Sequence, residues 1–409
     1  MRSVPRAAIL FLFAVFTFHA VASSAQSLIC SGAKVYPSPT ASPIENATII
    51  VLDGKIAAIS RRKGKEPLHG SEQRPNCAGK VVVAGFWNSH VHFTEPVWNH
   101  ADSAPAGQLE AHMQEMLTRW GFTTVWDLGS DPQNTMALRR RIEKDEIPGP
   151  QILMAGDIFP KGGHPVYLPE EMQLPEAATA EEARHMTKQY IDMGLDGLKL
   201  FTGAFMGDKP VINMDTPIVK AAADVAHAHG KPVFAHPQNY AGVDNALNGG
   251  VDILAHTIPN EGRYKASELE QMKRQHTALI PTLTLWTTVV PDPAIQEKIV
   301  QAGVNELKSY FSEGGTILFG TDVGFINRYD TGLEYEFMGR AMGWRDILAS
   351  LTTNPSEYFK ASGKGRVETG ADADLVVLDG DPATDVRNFA KVAYTVRRGK
   401  IIYQEAGGR

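Results

Sequence analysis

The chain has 409 residues, of which 43% are hydrophobic and 21% charged, with 37 Gly and 25 Pro. That is globular composition, and it excludes disordered, collagen-like and coiled-coil chains. A net charge of −6 argues against a nucleic-acid partner held by phosphate neutralisation, and 2 Cys exclude a disulfide scaffold or a Cys-built zinc or iron–sulfur site.

Arg2 and Arg6 precede an apolar run from Ala7 to Phe18, and the small residues Ala20-Val21-Ala22-Ser23-Ser24-Ala25 follow. These are the three regions of a secretory signal peptide over residues 1–25. The run is shorter than the roughly 20 residues that span a bilayer. The expectation is an exported protein, periplasmic or extracellular, with no stable membrane anchor after cleavage. Export also makes a Cys30–Cys77 disulfide permissible without requiring one.

Next come short strands at Leu28–Tyr36, Ala47–Leu52 and Lys55–Ser60, with turns at Asp53-Gly54 and between Pro37 and Pro43. From Val81 the pattern changes to apolar runs separated by helical stretches. The runs are Val81–Phe86, Phe122–Leu128, Ile152–Gly156, Leu198–Thr202, Pro232–Ala235, Asp252–Ala255, Ala278–Leu283 and Ile317–Gly320. Helices are expected at Gln108–Trp120, Glu181–Met193, Ile218–Gly230 and Ile295–Glu313. Eight such units have the size of a TIM barrel, and the Gly-rich phosphate turn of a doubly wound sheet is missing. The C-terminal residues return to strands at Asp374–Leu378, Val392–Val396 and Lys400–Tyr403. The fold class expected is therefore α/β: a (β/α)8 TIM barrel over residues 83–362, inserted into a small β-sandwich domain built from residues 26–82 and 363–409.

His90-Val91-His92 falls at the end of the first barrel strand. Residues two apart on a strand share a face, so both imidazoles can reach one ion. His227-Ala228-His229 has the same spacing on a helix, where it separates the rings by about 200°. That pair is read as capping a helix C-terminus. Other strand ends carry Lys199, His236, His256 and Asp322, and barrel active sites lie on that rim. Lys199 is notable because it interrupts the apolar strand Gly197-Leu198-Lys199-Leu200-Phe201, and lysine is rarely buried unpaired.

The ordered set of His-x-His, Lys, His, His and Asp resembles the amidohydrolase superfamily, in the branch of imidazolonepropionase-related enzymes and Xaa-Pro dipeptidases. The segments Phe86–His92, Gly121–Asp127 and Gly370–Leu378 carry the same resemblance, and Asn88 and Trp126 depart from it where Asp and Arg are frequent. The resemblance implies a binuclear centre: His90 and His92 on one ion, His236 and His256 on the other, and a CO2-carboxylated Lys199 bridging them. Asp322 would bind the first ion, hold a metal-bridging hydroxide, and serve as base and then acid. Nitrogen and oxygen donors without thiolate favour two Zn2+, with manganese or iron as alternatives. The Gly162-Gly163-His164 segment resembles one that lines the pocket in the dipeptidases, and His164 joins Tyr240, Arg263 and Trp286 as expected substrate contacts. The implied activity is hydrolysis of a small-molecule amide, an N-acyl amino acid or an Xaa-Pro dipeptide. A phosphotriesterase-like lactonase would use the same ligand types but lacks the split β-domain. Assembly into a homo-oligomer is left open.

Overall fold

The computed structural model describes residues 27–61, 72–259 and 262–406, so the expected signal peptide lies outside the described residues. Seven parallel strands follow one another around a barrel: Phe86–Val91, Phe122–Asp127, Gln151–Pro160, Gly197–Leu200, Val233–Ala235, Ile253–Ala255 and Ala278–Ile280. The eighth segment closes the ring through bridges Leu279–Ile317 and Val91–Val323, and the Ser89 N–H donates to the Phe319 carbonyl at 2.7 Å. Strands buried on both faces favour apolar runs, and most of these positions are apolar, with Asn88, Ser89, Thr123, Thr124 and Lys199 among the buried polar interruptions. Trp87, Trp126, Phe234, Ile280 and Leu318 fill the interior with the Phe359 ring. The barrel is therefore a packed core, with its chemistry confined to the rim.

Both chain ends meet in one seven-stranded mixed sheet. Its order is Lys400–Gln404, Val392–Arg397, Leu375–Leu378, Val81–Ala84, Ser27–Val35, Ile44–Leu52, Lys55–Ser60. It has its own apolar cluster around Val35, Ile49, Val82, Leu375 and Val396. The expected run Val81–Phe86 is corrected here, because it is two strands divided at Gly85. The Gly85 N–H donates to the Asp374 carbonyl at 2.7 Å. A Cβ at this position would lie 2.3 Å from Thr123 Oγ1. Glycine alone allows that close approach, where the chain leaves the terminal sheet and enters the barrel.

Cys30 and Cys77 form a disulfide spanning 47 residues within the terminal-sheet domain. Closing a loop of that length removes unfolded-state freedom. Replacing both cysteines by serine should cost about 2–4 kcal/mol in urea denaturation. Equal midpoints for variant and parent would show that the bridge contributes nothing.

The helices start and stop on local signals. Ala180–Asp192 opens with a Thr179/Glu182 capping box, which satisfies orphan N–H groups at its first turn. At the end of Thr216–Ala228, His229 Nδ1 lies 2.9 Å from the Val225 carbonyl, while His227 reaches Asp252 at 2.8 Å. His229 therefore caps the helix, and His227 instead ties it to Asp252, the residue before the strand Ile253–Ala255. Among the described residues no helix is long and apolar enough to cross a membrane.

Candidate metal centre

The strand ends deliver six side chains to one place. Asp322 Oδ1 lies 3.0 Å from His92 Nε2 and 3.3 Å from His90 Nε2. One donor atom from each of the three lies within 4.8 Å of the others. Lys199 Nζ is 3.4 Å from His90 Nε2. Across the centre, His256 Nε2 and His236 Nδ1 face each other at 2.9 Å, and His256 Nδ1 lies 3.6 Å from Asp322 Oδ2. Apart from His92, all have a residue exposure of 9% or less.

Neighbouring groups aim these rings. His92 Nδ1 lies 3.0 Å from the Gly129 carbonyl, which can only accept, so its proton sits on Nδ1 and Nε2 is turned to Asp322. His256 Nδ1 is engaged by the Thr282 hydroxyl at 2.6 Å, turning Nε2 toward His236. Thr282 and Asp322 both hold left-handed backbone, with φ of 43° and 62°. A β-branched residue there is strained by about 1–3 kcal/mol, a cost tolerated mainly at functional sites. Gly324 permits the eighth loop to pass His92, since a Cβ would lie 1.8 Å from its carbonyl oxygen.

The donor chemistry fits cations. Burial keeps His90 and His236 well below the ordinary imidazole range and lowers His256 to about 3, so these rings are neutral and have a lone pair to offer a cation. For His92 burial also opposes the proton, but Asp322 more than offsets it. Burial works against the Asp322 anion, yet the histidines around it hold its carboxyl well below the usual range. Bare nitrogens facing a carboxylate at 3.0 Å, and facing each other at 2.9 Å, need a proton or a metal between them. Burial brings the Lys199 amine down to about 8, with Asp322 and Asp157 opposing the shift.

Residues 81–402 match the model of the amidohydrolase family. The chain belongs to that family. Membership brings the class of chemistry with it, hydrolysis of carbon–nitrogen bonds, in a family that generally uses divalent metal. The chain is 23% identical to ochratoxinase of Aspergillus niger over 88% of its own length and 83% of the relative. Among solved structures it resembles a putative prolidase from Bifidobacterium longum, with a TM-score of 0.76, 24% identity and coverage of 93% and 95%. It also resembles a Xaa-Pro dipeptidase with bound methionine in the active site, with a TM-score of 0.77, 20% identity and coverage of 93% and 100%. At these identities the two structures support the fold alone.

The remaining expected contacts of this amidohydrolase are placed as follows. His164 is half-buried, its ring nitrogens 3.2 and 3.3 Å from the Pro165 and Met172 carbonyls of its own loop. The Tyr240 hydroxyl donates to the carbonyl of exposed Arg263 at 2.7 Å, and Lys265 sits over the Tyr240 ring. Buried Trp286 has its ring 6.0 Å from that of His256. Asn88 and Trp126, the two departures, serve the framework. Asn88 Nδ2 donates to Thr321 Oγ1 at 2.7 Å and its Oδ1 accepts from the His90 N–H, joining the first and eighth strands. Trp126 packs inside the barrel 5.0 Å from Phe234.

Two acids escaped sequence reasoning. Asp157 pairs in register with Lys199 on the adjacent strand, and burial raises its carboxyl to about 6. The apolar run ending at Gly156 stopped one residue short of it. Glu334 lies on the helix Gly332–Gly339 and is fully buried. It accepts from the backbone of Leu283 and Thr284 and from the Thr284 hydroxyl at 2.7–2.9 Å. It thereby clamps the chain beside Thr282, and through Thr282 it positions His256. Glu334→Gln sets an amide NH2 against those donors and should cost about 1–3 kcal/mol of stability. The same variant should hold less metal at equal free concentration, as elemental analysis would show. Parental stability and metal content together would remove Glu334 from the support of the site.

Proposed function

We propose that this amidohydrolase is an exported enzyme that cleaves the amide of a small molecule such as an N-acyl amino acid or an Xaa-Pro dipeptide. The observation that carries the reading is the convergence of His90, His92, Lys199, His236, His256 and Asp322 within a few ångströms on one barrel rim. His90, His92 and Asp322 would hold one divalent ion, and His236 with His256 a second, zinc being the metal that best suits these donors. Such ions, when bound, lower the pKa of water and polarise a carbonyl.

Lys199 is suited to the place between the two ligand groups. Its lowered pKa makes a neutral amine accessible near neutral pH. That amine can attack CO2, forming an N–C bond and releasing a proton, which converts a buried cation into an anionic oxygen ligand. Asp322 anchors through Oδ1, leaving Oδ2 free to accept a proton from the attacking water. The same proton then passes to the amide nitrogen as the C–N bond breaks, so the amine leaves neutral and the acyl part leaves as a carboxylic acid, which ionises by releasing its own proton to solvent. Export is supported by the N-terminal segment and by the Cys30–Cys77 disulfide, a bond that persists in oxidising compartments.

The test is a hydrolysis screen of zinc-loaded protein against Xaa-Pro dipeptides, N-acyl amino acids, cyclic amides and lactones, read by mass spectrometry with and without a chelator. Chelator-sensitive cleavage of amides is the expected result. Cleavage of lactones alone would replace the amide reading with an esterase one.

A further inference from the structure

The mouth of the site carries apolar side chains for which the hydrolytic chemistry has no use. Phe201 follows the fourth strand, with its ring 4.8 Å from that of His236 and stacked 3.9 Å from Phe159. Phe205 comes next in the same loop, and its carbonyl accepts from the Val166 N–H at 3.2 Å. Tyr167 packs its ring 5.0 Å from Phe325, whose N–H donates to the Asp322 carbonyl at 3.3 Å. Loops after the third, fourth and eighth strands thus bring apolar side chains to the rim, Phe201 beside His236 and Phe325 beside Asp322, with a backbone hydrogen bond tying the first two loops together.

That surface faces solvent. Val166, Tyr167, Phe205 and Phe325 are 57%, 39%, 39% and 38% exposed, and they are four of the nine large hydrophobic side chains exposed among the described residues. Scattered exposed hydrophobics need no explanation, but a group converging on a catalytic rim does. Tyr167 also lies within the electrostatic reach of the centre. Burial raises its hydroxyl pKa, and the charges of Asp322 and Asp157 push it further up. The Tyr167 ring is thus open to water while it packs on Phe325, the neighbour of the Asp322 backbone, and this places it at the rim of the centre.

We propose that Phe201, Phe205, Val166, Tyr167 and Phe325 form a specificity surface for a large apolar or aromatic group next to the scissile amide. The proposal rests on the amide-hydrolase reading and adds the substrate class. Transferring a Leu- or Phe-sized side chain from water onto such a wall is worth roughly ten- to hundredfold in binding, and offset or edge-on stacking against Tyr167 and Phe325 adds to it. A methyl or a hydrogen in the same place gains almost nothing.

The experiment compares zinc-loaded parent, Tyr167→Ala and Phe325→Ala on two substrate pairs, N-acetylphenylalanine with N-acetylalanine and Phe-Pro with Ala-Pro. Equilibrium binding of each compound is measured by calorimetry beside its kcat/KM. In the parent the larger member of at least one pair should be favoured by about ten- to hundredfold. In each variant that ratio should fall to within about threefold. Because both side chains are exposed, a thermal melt matching the parent's is expected; Phe325→Leu, which keeps an apolar group, should retain most of the preference. Tighter binding of the phenyl compounds without turnover of any amide would uphold the apolar surface and sink the proposed reaction. Amide turnover with ratios near one in the parent, or ratios unchanged in both alanine variants, would overturn the surface and leave the reaction standing.

Discussion

Asp322→Asn should leave the protein folded and able to hold metal, yet lower kcat by about a hundred- to ten-thousandfold, the range ascribed to a positioned acid–base group. The substitution keeps the size of the side chain and one carbonyl oxygen near His90 and His92, so much of the ligand geometry survives. What it removes is the group able to take a proton on Oδ2 and return it to the leaving nitrogen. The backbone argues against incidental damage. Asp322 sits at φ 62°, in the left-handed region, and asparagine tolerates that region as well as aspartate does. Metal analysis and kcat on the same preparation separate the two roles. Lost metal with lost activity would make Asp322 a ligand first. Full activity with metal retained would remove it from proton transfer.

The convergence of these side chains on one rim was legible because strand geometry is simple. On a strand, side chains repeat every two residues, so His90-Val91-His92 had to present both rings to one side, whereas His227 and His229 on a helix could not. Lys199 was visible because a cation inside an apolar strand demands an explanation. The split terminal domain was legible from the change in strand spacing at each end. The places where sequence reasoning fell short are those where tertiary contacts decide. Nothing in the run Val81–Phe86 marks the crossing at Gly85, which follows from a side chain on the neighbouring strand, Thr123. Glu334 reads as an ordinary helical acid until its helix folds over the end of the seventh strand and meets unpaired N–H groups there. His164 has its own loop's carbonyls beside both ring nitrogens, a local geometry that residue type alone does not reveal.

Glu334, Thr282 and His256 also bear on how the centre tolerates strain. Thr282 is held in a conformation costly for a β-branched residue, and flanking N–H groups donate to a carboxylate that itself has no exposure. A buried carboxylate with three donors is well satisfied, so its helix can hold the strained turn in place. On the opposite side, Asp127 accepts from Ser130 and Thr135 at 2.6 and 2.8 Å and fixes the turn whose Gly129 carbonyl orients His92. Each half of the centre thus has a buried acid that never needs to touch metal. Their work is to hold ring orientation to within the tolerance that coordination requires.

Lys199→Ala should reduce tightly held metal to one ion or fewer per chain and abolish most turnover, because it deletes the group proposed to join the two halves. The distances make this a stringent test. His90, His92 and Asp322 can still form a three-donor set, while His236 and His256 are left with two nitrogens. Two neutral imidazoles alone make a weak site, and without an anion between them the second ion has little to hold it. Lys199→Arg separates charge from chemistry, since it keeps a cation and bulk but cannot be carboxylated, its guanidinium remaining protonated. It should resemble Lys199→Ala in metal content. Adding acetate or propionate to Lys199→Ala, where the lost side chain leaves room, should restore part of the second metal by supplying the missing carboxylate. Two tightly held ions in the unrescued alanine variant would refute the bridge and place the second ion on other donors, with Asp157 the first to examine.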